Sequence, residues 1–386
     1  MDLPAPSPDA LKQSTALAER IRRLIHEQGG WLSFTHYMEA ALYTPGLGYY
    51  SGGAQKFGPA GDFVTAPEIT PLFGRSLARQ VADILTQSAP VVLEVGAGTG
   101  LLAADILTAL DEVDAAPERY FILEVSGELR ARQFDTLAAK APGLADRVVW
   151  LDDLPRQFSG AVVANEVLDV MPVHLVVSQA GGLAERGVAL DGAGALVWQD
   201  QALEGAALGA AQAIGLPRPE TGEYVTELGL AGAAWMREWA GRLVQGALLL
   251  IDYGYPRAEY YLPHRSRGTL QCYYRHRAHD EPLRWPGLND ITSFVDFTAV
   301  ADAAFDSGLE IYGYTSQAQF LFNCGVLDFL AARGPEGTAD YIRAARAVQR
   351  LTTPQEMGEL FKVLAAGKGM TTPLRGFTHG DRTHTL

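Results

Sequence analysis

Three glycines, each two residues from the next, follow an acidic residue in the run Glu94-Val95-Gly96-Ala97-Gly98-Thr99-Gly100. Glycine allows positive φ in a tight turn and lets the backbone lie close to a ligand. An apolar, β-branched stretch precedes this glycine turn, and residues 101–107 follow it with apolar side chains at helical spacing. The order of strand, glycine turn and helix is typical of a nucleotide-binding βαβ unit.

The spacing of the glycines separates two classes of cofactor. A dinucleotide fingerprint has its third glycine three residues after the second, where this chain has Leu101. The pattern instead resembles motif I of class I S-adenosylmethionine (SAM) methyltransferases, in which the acid orients the cofactor's ammonium group. The alternative is a glycine-rich turn without a ligand. The resemblance implies cofactor contacts from Glu94, Gly96, Ala97, Gly98 and Gly100.

A second predicted strand, residues 120–126, carries Glu124 near its carboxyl end. In open α/β sheets the ligand lies outside the carboxyl ends of the strands, where an acid accepts hydrogen bonds from ribose hydroxyls. We therefore expect Glu124, with Val125 beside it, to contact the cofactor. The alternative is a surface carboxylate before a helix over 127–139, with Ser126 as the helix cap.

A third predicted strand, 148–151, runs into Asp152, Asp153 and Leu154. Class I methyltransferases commonly place a side chain that meets the adenine at this point. The sequence does not distinguish between the two aspartates, and either one is equally consistent with an ordinary turn residue.

The fourth predicted strand, 160–164, ends at Asn165 and Glu166, and Asp169 follows three residues later. In this fold the carboxyl end of the fourth strand faces the transferred methyl group, so these three residues are the catalytic candidates. Carboxylates match the planar donor fork of a guanidinium group. The alternative is a solvated helix start, where acids are favoured by the helix dipole.

Upstream of the glycine turn, helices are predicted over 14–28, 33–42 and 71–85, with a loop rich in glycine, proline and aromatic residues between the last two. Thr65 and Glu68 lie at the end of this loop. One interpretation is a lid that brings both side chains to the cofactor. The other is a capping box at the start of a helix, with Thr65 as the cap and Glu68 as its partner.

Three stretches together, 48–50, 61–69 and 94–100, resemble the MidA-like methyltransferase family, whose mitochondrial member is the complex I assembly arginine methyltransferase. The resemblance runs from about residue 14 to 368. It implies SAM as cofactor and an arginine side chain of a partner protein as acceptor, with a respiratory-complex-type subunit as one candidate. It also makes residues 270–296 part of an acceptor pocket, with His276, Asp280 and Asp290 as weak candidates beside an equally good interpretation as a packed polar loop.

Composition limits the function classes. The formal net charge of −14 disfavours nucleic acid as the main partner, because phosphate binding needs clustered Lys and Arg. The longest apolar run is too short to insert into a membrane. Cys272 and Cys324 are far apart, and no His/Asp group has a metal-ligand spacing, so we expect neither a disulfide framework nor a metal. A cytoplasmic protein fits these features best.

The sequence therefore predicts an α/β fold of the class I SAM-methyltransferase type, with a doubly wound, mostly parallel sheet. Residues 1–89 are expected to form an N-terminal helical cap and lid loop, and 90–376 the methyltransferase domain. Insertions are expected at about 173–200, where a β-meander is predicted, 256–300 and 317–357, and a mobile tail at 377–386.

The predicted activity is transfer of the SAM methyl group to a nitrogen nucleophile. A methyltransferase with another protein or small-molecule acceptor, and a non-catalytic assembly factor that binds SAM, are the alternatives. A nicotinamide-dependent oxidoreductase is disfavoured by Leu101 and Glu94. The sequence leaves the oligomeric state open.

Overall fold

The structure is a computed structural model and describes residues 3–52 and 65–386. The chain divides into two compact units, each built from three separate stretches. The first comprises Met1–Phe63, Leu168–Ala234 and Tyr255–Ala299, and the second Val64–Val167, Trp235–Gly254 and Val300–Leu386. The boundaries predicted from the sequence, 1–89 and 90–376, therefore cut across both units. Residues 53–64, which include the first part of the predicted lid loop, lie outside the described residues.

The α-helices of the described residues are α1 (Pro8–Glu27), α2 (Phe34–Tyr43), α3 (Ala66–Ile69), α4 (Pro71–Leu85), α5 (Leu101–Asp111), α6 (Gly127–Lys140), α7 (Gly205–Ile214), α8 (Leu230–Arg242), α9 (Arg257–Tyr260), α10 (Phe297–Asp306), α11 (Gln317–Asn323), α12 (Val326–Ala331) and α13 (Ala339–Thr352). Short 3₁₀ helices cover Ala145–Arg147, Arg375–Phe377 and Thr383–Thr385.

The strands are β1 (Trp31–Ser33), β2 (Val91–Val95), β3 (Arg119–Leu123), β4 (Val148–Leu151), β5 (Phe158–Asn165), β6 (His174–Gln179), β7 (Gly182–Leu190), β8 (Leu196–Ala202), β9 (Tyr224–Leu228), β10 (Leu243–Tyr255), β11 (Gln271–Tyr274), β12 (Arg277–His279), β13 (Asp290–Thr292), β14 (Val295–Asp296), β15 (Glu310–Ser316) and β16 (Phe361–Lys368).

The second unit contains the main sheet, with strand order β15-β16-β10-β5-β2-β3-β4. The strands β10, β5, β2, β3 and β4 are parallel to one another, whereas β16 runs antiparallel between β10 and β15. The predicted α/β class with a mostly parallel sheet is confirmed. Because the carboxyl ends of parallel strands share one edge, the ends of β2, β3, β4 and β5 lie along the same edge of the sheet.

The core of the second unit explains why its central strands are continuously apolar. Side chains of β2, β5 and β10 pack with those of α4 and α5, and many of them are fully buried. Parallel strands covered on both faces require such runs rather than an alternating pattern. Val92, Val163 and Leu249 are examples with no exposed surface.

The first unit holds an antiparallel sheet of order β1-β7-β6-β9, with β8 also on β7, and a small sheet of order β12-β11-β13. The consecutive strands β6, β7 and β8 pair as a meander. Helix α1 buries Leu17, Ile21 and Ile25 on one face. It begins earlier than the sequence predicted, because the hydroxyl of Ser7 caps it and Pro8 occupies its first position.

The C-terminal tail, expected to be mobile, forms hydrogen bonds to β15. The backbone N–H of Tyr314 donates to Asp381 Oδ1 at 2.9 Å, and the hydroxyl of Thr315 donates to the backbone oxygen of Gly380 at 2.7 Å. Within residues 3–52 and 65–386, no helix is long and apolar enough to cross a bilayer.

Candidate active site

The glycine turn takes the backbone geometry that its sequence requires. Gly96, Gly98 and Gly100 have φ values of +66°, +53° and +81°, in the left-handed region that favours glycine. The N–H of Gly100 donates to the backbone oxygen of Ala97 at 2.8 Å, which closes the turn, and Gly100 then caps α5. The turn thus leaves β2 at the carboxyl edge of the sheet without side chains at three positions.

Gly100 also allows a close approach between two elements. A Cβ at this position would lie 3.0 Å from the Cα of Gln133 in α6, which is closer than ordinary contact. The absence of a side chain therefore lets α6 pack directly against the start of α5.

Glu94 lies near the end of β2 with only 2% of its surface exposed. The hydroxyl of Tyr120 in β3 donates to its Oε2 at 2.6 Å. Burial raises the pKa of Glu94 to about 7, an effect that the Tyr120 hydrogen bond opposes and the nearby Glu124 charge adds to. A carboxyl in this state changes its charge readily near neutral pH, so a bound cation would favour the ionised form.

Glu124 follows β3 directly and is 6% exposed, so it is not a surface carboxylate. Its Oε1 accepts from the N–H of Ser126 at 2.9 Å and its Oε2 from Nε2 of Gln133 at 3.0 Å. Ser126 separately caps α6 through its hydroxyl, so the cap proposed in the alternative does exist. Burial raises the pKa of Glu124, and the hydrogen bonds from Ser126 and Gln133 oppose that rise.

Arg130 links the carboxyl ends of β3 and β4 through hydrogen bonds. Its side chain donates to the backbone oxygens of Glu124 and Leu151, both at 2.7 Å, and its Nη1 lies 2.9 Å from Asp152 Oδ1. Both adenine candidates are exposed, and Arg130 pairs with Asp152. The backbone oxygen of Leu154 accepts from Arg242 at 3.2 Å.

Asn165 and Glu166 stand at the carboxyl end of β5. Nδ2 of Asn165 donates to Oε1 of Glu166 at 3.2 Å. Glu166 has a φ of +54°, which side-chain-bearing residues rarely adopt, and its N–H donates to the backbone oxygen of Ile251 in β10 at 2.9 Å. Such backbone strain is concentrated at functional sites.

The alternative of a solvated helix start at Glu166 and Asp169 is wrong. Residues 166–170 form bends and turns rather than a helix, and Asp169 is only 3% exposed. Asp169 belongs to the first unit, whereas Asn165 and Glu166 belong to the second. The backbone oxygen of Asp169 accepts from the N–H of Ser293, also in the first unit, at 2.9 Å.

The weak acceptor candidates are placed differently from one another. Asp290 is buried and accepts at 2.9 Å from the hydroxyl of Tyr50, whose ring stacks on Tyr43. His276 and Asp280 are exposed at the β11–β12 hairpin. Of these three candidates, Asp290 alone is buried.

The capping box expected as the alternative for Thr65 and Glu68 does not form. Thr65 precedes the short helix α3, but its side chain makes no cap hydrogen bond. Instead, the backbone N–H of Glu68 donates to the backbone oxygen of Thr65 at 3.0 Å. Thr70 caps the longer helix α4 by accepting from the N–H of Leu72.

Gln133 was missed by the sequence reasoning. It lies on the buried stripe of α6 between Leu129 and Leu137, so a glutamine at an apolar helical position was the available signal. Its side chain forms hydrogen bonds to the glycine turn, to Glu124 and to β4.

Among the described residues, no group of three or more His, Cys, Asp or Glu side chains could hold a metal ion.

The carboxyl edge of the sheet therefore presents a side-chain-free turn, two buried carboxyls and a strained glutamate. The sequence model of the family described as S-adenosyl-L-methionine-dependent methyltransferase matches residues 76–315. This chain belongs to that family. The methyltransferase uses SAM as its cofactor, and the residues at the edge fit it: the turn leaves room for backbone contact, and Glu124 can accept from ribose hydroxyls.

Curated relatives and solved structures agree with this family. The protein arginine methyltransferase NDUFAF7 of Danio rerio is 27% identical over 398 residues, covering 90% of this chain and 89% of the relative. The Mus musculus protein of the same name is 28% identical and covers 92% of this chain and 85% of the relative. A Burkholderia thailandensis crystal structure bound to S-adenosyl-homocysteine is 52% identical, with a TM-score of 0.96 and full coverage of both chains.

Proposed function

We propose that this methyltransferase transfers the methyl group to an arginine side chain of a partner protein. The observation that carries the proposal is the position of Glu166, whose carboxylate stands at the end of β5 in a strained backbone conformation. Relatives that match about nine-tenths of the chain are named protein arginine methyltransferases. Together these favour a guanidinium acceptor.

Neighbouring residues hold both the backbone and the side chain of Glu166. Its N–H donates to Ile251, and its Oε1 accepts from Asn165. The hydrogen bond from Asn165 fixes the carboxyl group of Glu166 at the end of β5. An ionised carboxylate in a fixed place can bind two N–H groups of a guanidinium group and orient one nitrogen.

SAM, when bound, supplies a methyl group already activated by its sulfonium. The residues of the chain therefore need to align the acceptor nitrogen with the methyl group and to accept one proton from that nitrogen. Glu166 accepts the proton that the guanidinium nitrogen loses as it gains the methyl group.

We propose that the cofactor is held by the glycine turn and by Glu94, Glu124, Val125 and Asn165. In this proposal the adenine is contacted by Asp152, Asp153 or Leu154, and the cofactor is covered by Thr65 and Glu68. A respiratory-complex-type subunit is the partner we propose, in a cytoplasmic setting. Both cysteines are buried free thiols, which suits a reducing compartment.

The test is methyl transfer from radiolabelled SAM into an extract of cells that lack the protein. Acid hydrolysis should yield labelled methylarginine with the wild-type enzyme and far less with Glu166→Gln, and mass spectrometry of the labelled protein identifies the partner. Label in other amino acids or in small molecules would overturn the arginine proposal. Binding of S-adenosyl-homocysteine without any transfer would favour the assembly-factor alternative.

A further inference from the structure

Gln133 connects three elements at the carboxyl edge of the sheet. The side chain is fully buried in the second unit, on the apolar stripe of α6. Its Nε2 donates to the backbone oxygen of Gly98 at 3.1 Å and to Oε2 of Glu124 at 3.0 Å, and its Oε1 accepts from Nε1 of Trp150 in β4 at 2.8 Å.

Trp150 fixes which way the Gln133 amide points. The indole N–H is a donor only, so the atom facing it must be the amide oxygen. The amide nitrogen is then turned toward a carbonyl and a carboxylate, which are acceptors. Each atom of the amide therefore meets a partner of the opposite kind, and the reversed orientation would lose all three hydrogen bonds.

The other oxygen of Glu124 is held independently. Oε1 accepts from the N–H of Ser126 at 2.9 Å, so each carboxylate oxygen has at least one donor. A carboxylate oxygen has a second lone pair, and Glu124 therefore keeps the capacity to accept further hydrogen bonds. The bonds from Ser126 and Gln133 also oppose the rise in the pKa of Glu124 that burial causes, which favours the ionised acceptor form.

Burying an amide costs free energy that its hydrogen bonds must offset, whereas a leucine or methionine would fill the same stripe without that cost. We propose that Gln133 is a positioning residue for the cofactor. Its amide N–H group fixes the carboxylate of Glu124 in the position where it accepts from the ribose. The same amide donates to the carbonyl of Gly98 and so links that carboxylate to the glycine turn. The proposal rests on the assignment of Glu124 to the cofactor ribose within the proposed site.

A double-mutant cycle tests this role, with calorimetric titration of S-adenosyl-homocysteine as the readout. Glu124→Gln and Gln133→Met should each weaken binding about tenfold or more, since each removes a hydrogen bond to a charged group. The double variant should bind about as weakly as Glu124→Gln alone, because Gln133 acts through Glu124. Trp150→Phe leaves Gln133 in place but frees its orientation, and it should weaken binding by a smaller factor.

Gln80→Met is the matched control. Gln80 is also fully buried in the second unit, and its Oε1 accepts from the N–H of Gly376 at 2.6 Å. This variant should lower the melting temperature but leave the affinity unchanged. Full affinity in Glu124→Gln would overturn the ribose assignment and the inference with it. Additive losses, or wild-type affinity in folded Gln133→Met or Trp150→Phe, would overturn the role of Gln133 alone.

Discussion

The hydroxyl of Tyr120 donates a 2.6 Å hydrogen bond to Oε2 of Glu94, and both side chains are buried between neighbouring strands of the main sheet. Burial raises the pKa of Glu94 from 4.5 to about 7. Glu94 is therefore partly protonated at neutral pH in the ligand-free protein. A cofactor ammonium group would favour its ionised form.

Binding of S-adenosyl-homocysteine should accordingly strengthen by about tenfold between pH 6 and pH 8, because the ionised fraction of Glu94 rises across a pKa near 7. Calorimetric titration in buffers of different ionisation enthalpy should also detect proton release on binding at pH 6. The Glu94→Gln variant cannot ionise, so its affinity should vary little over this range. An equal pH dependence in both proteins would assign the effect to another group.

Gly100→Ala should destabilise the protein by about 2 kcal/mol, since an L-residue with positive φ costs about 1–2 kcal/mol and its Cβ would press on the backbone of α6. Thermal unfolding should show a lower midpoint, and the affinity for S-adenosyl-homocysteine should fall as the turn shifts. Gly143→Ala is the control, because a Cβ at Gly143 would meet no atom within 4 Å. Equal midpoints for both variants would show that the close packing at Gly100 is not needed.

Asp153, rather than Asp152, should contribute to cofactor binding. Asp152 pairs with Arg130, and its side chain is 87% exposed, so its loss should cost little. We expect Asp153→Ala to weaken binding of S-adenosyl-homocysteine about tenfold, as for one lost hydrogen bond, and Asp152→Ala to change it less than about twofold. The opposite order of the two affinities would move the adenine contact to Asp152.

Glu166→Gln should keep the cofactor affinity and reduce methyl transfer by roughly a hundredfold or more, as expected when a group that accepts a proton is removed. Single-turnover transfer to the acceptor at saturating SAM measures the chemical step directly. The same assay on Glu118→Gln, which alters an exposed carboxylate before β3, provides the reference. Undiminished transfer by Glu166→Gln would remove Glu166 from the catalytic residues.

Local patterns were sufficient to predict the parallel sheet and its edge. The apolar runs identify β2, β3, β4, β5 and β10, and the acidic or polar residues after β3 and β5 identify the edge where Glu124, Asn165 and Glu166 lie. These features depend on short stretches of sequence. The glycine spacing likewise fixes the turn before α5, because only glycine readily adopts its φ values.

Features that depend on distant parts of the chain could not be predicted. The first unit joins three separate stretches, and no local period reports such an assembly. The left-handed backbone of Glu166 depends on the neighbouring strand β10, and the partners of Gln133 come from three elements. Tertiary contacts, rather than propensity, determine each of these.

The central claim is that the glycine turn of the second unit holds the cofactor. Titration of the protein with S-adenosyl-homocysteine, beside NADH, tests it most directly in the wild type and in two variants. Gly98→Arg places a long side chain at a φ of +53° in the turn, whereas Gly143→Arg adds one at a site with open space. We predict saturable binding of S-adenosyl-homocysteine alone, lost in Gly98→Arg and kept in Gly143→Arg. Retained binding in Gly98→Arg, or no binding by the wild type, would contradict the claim.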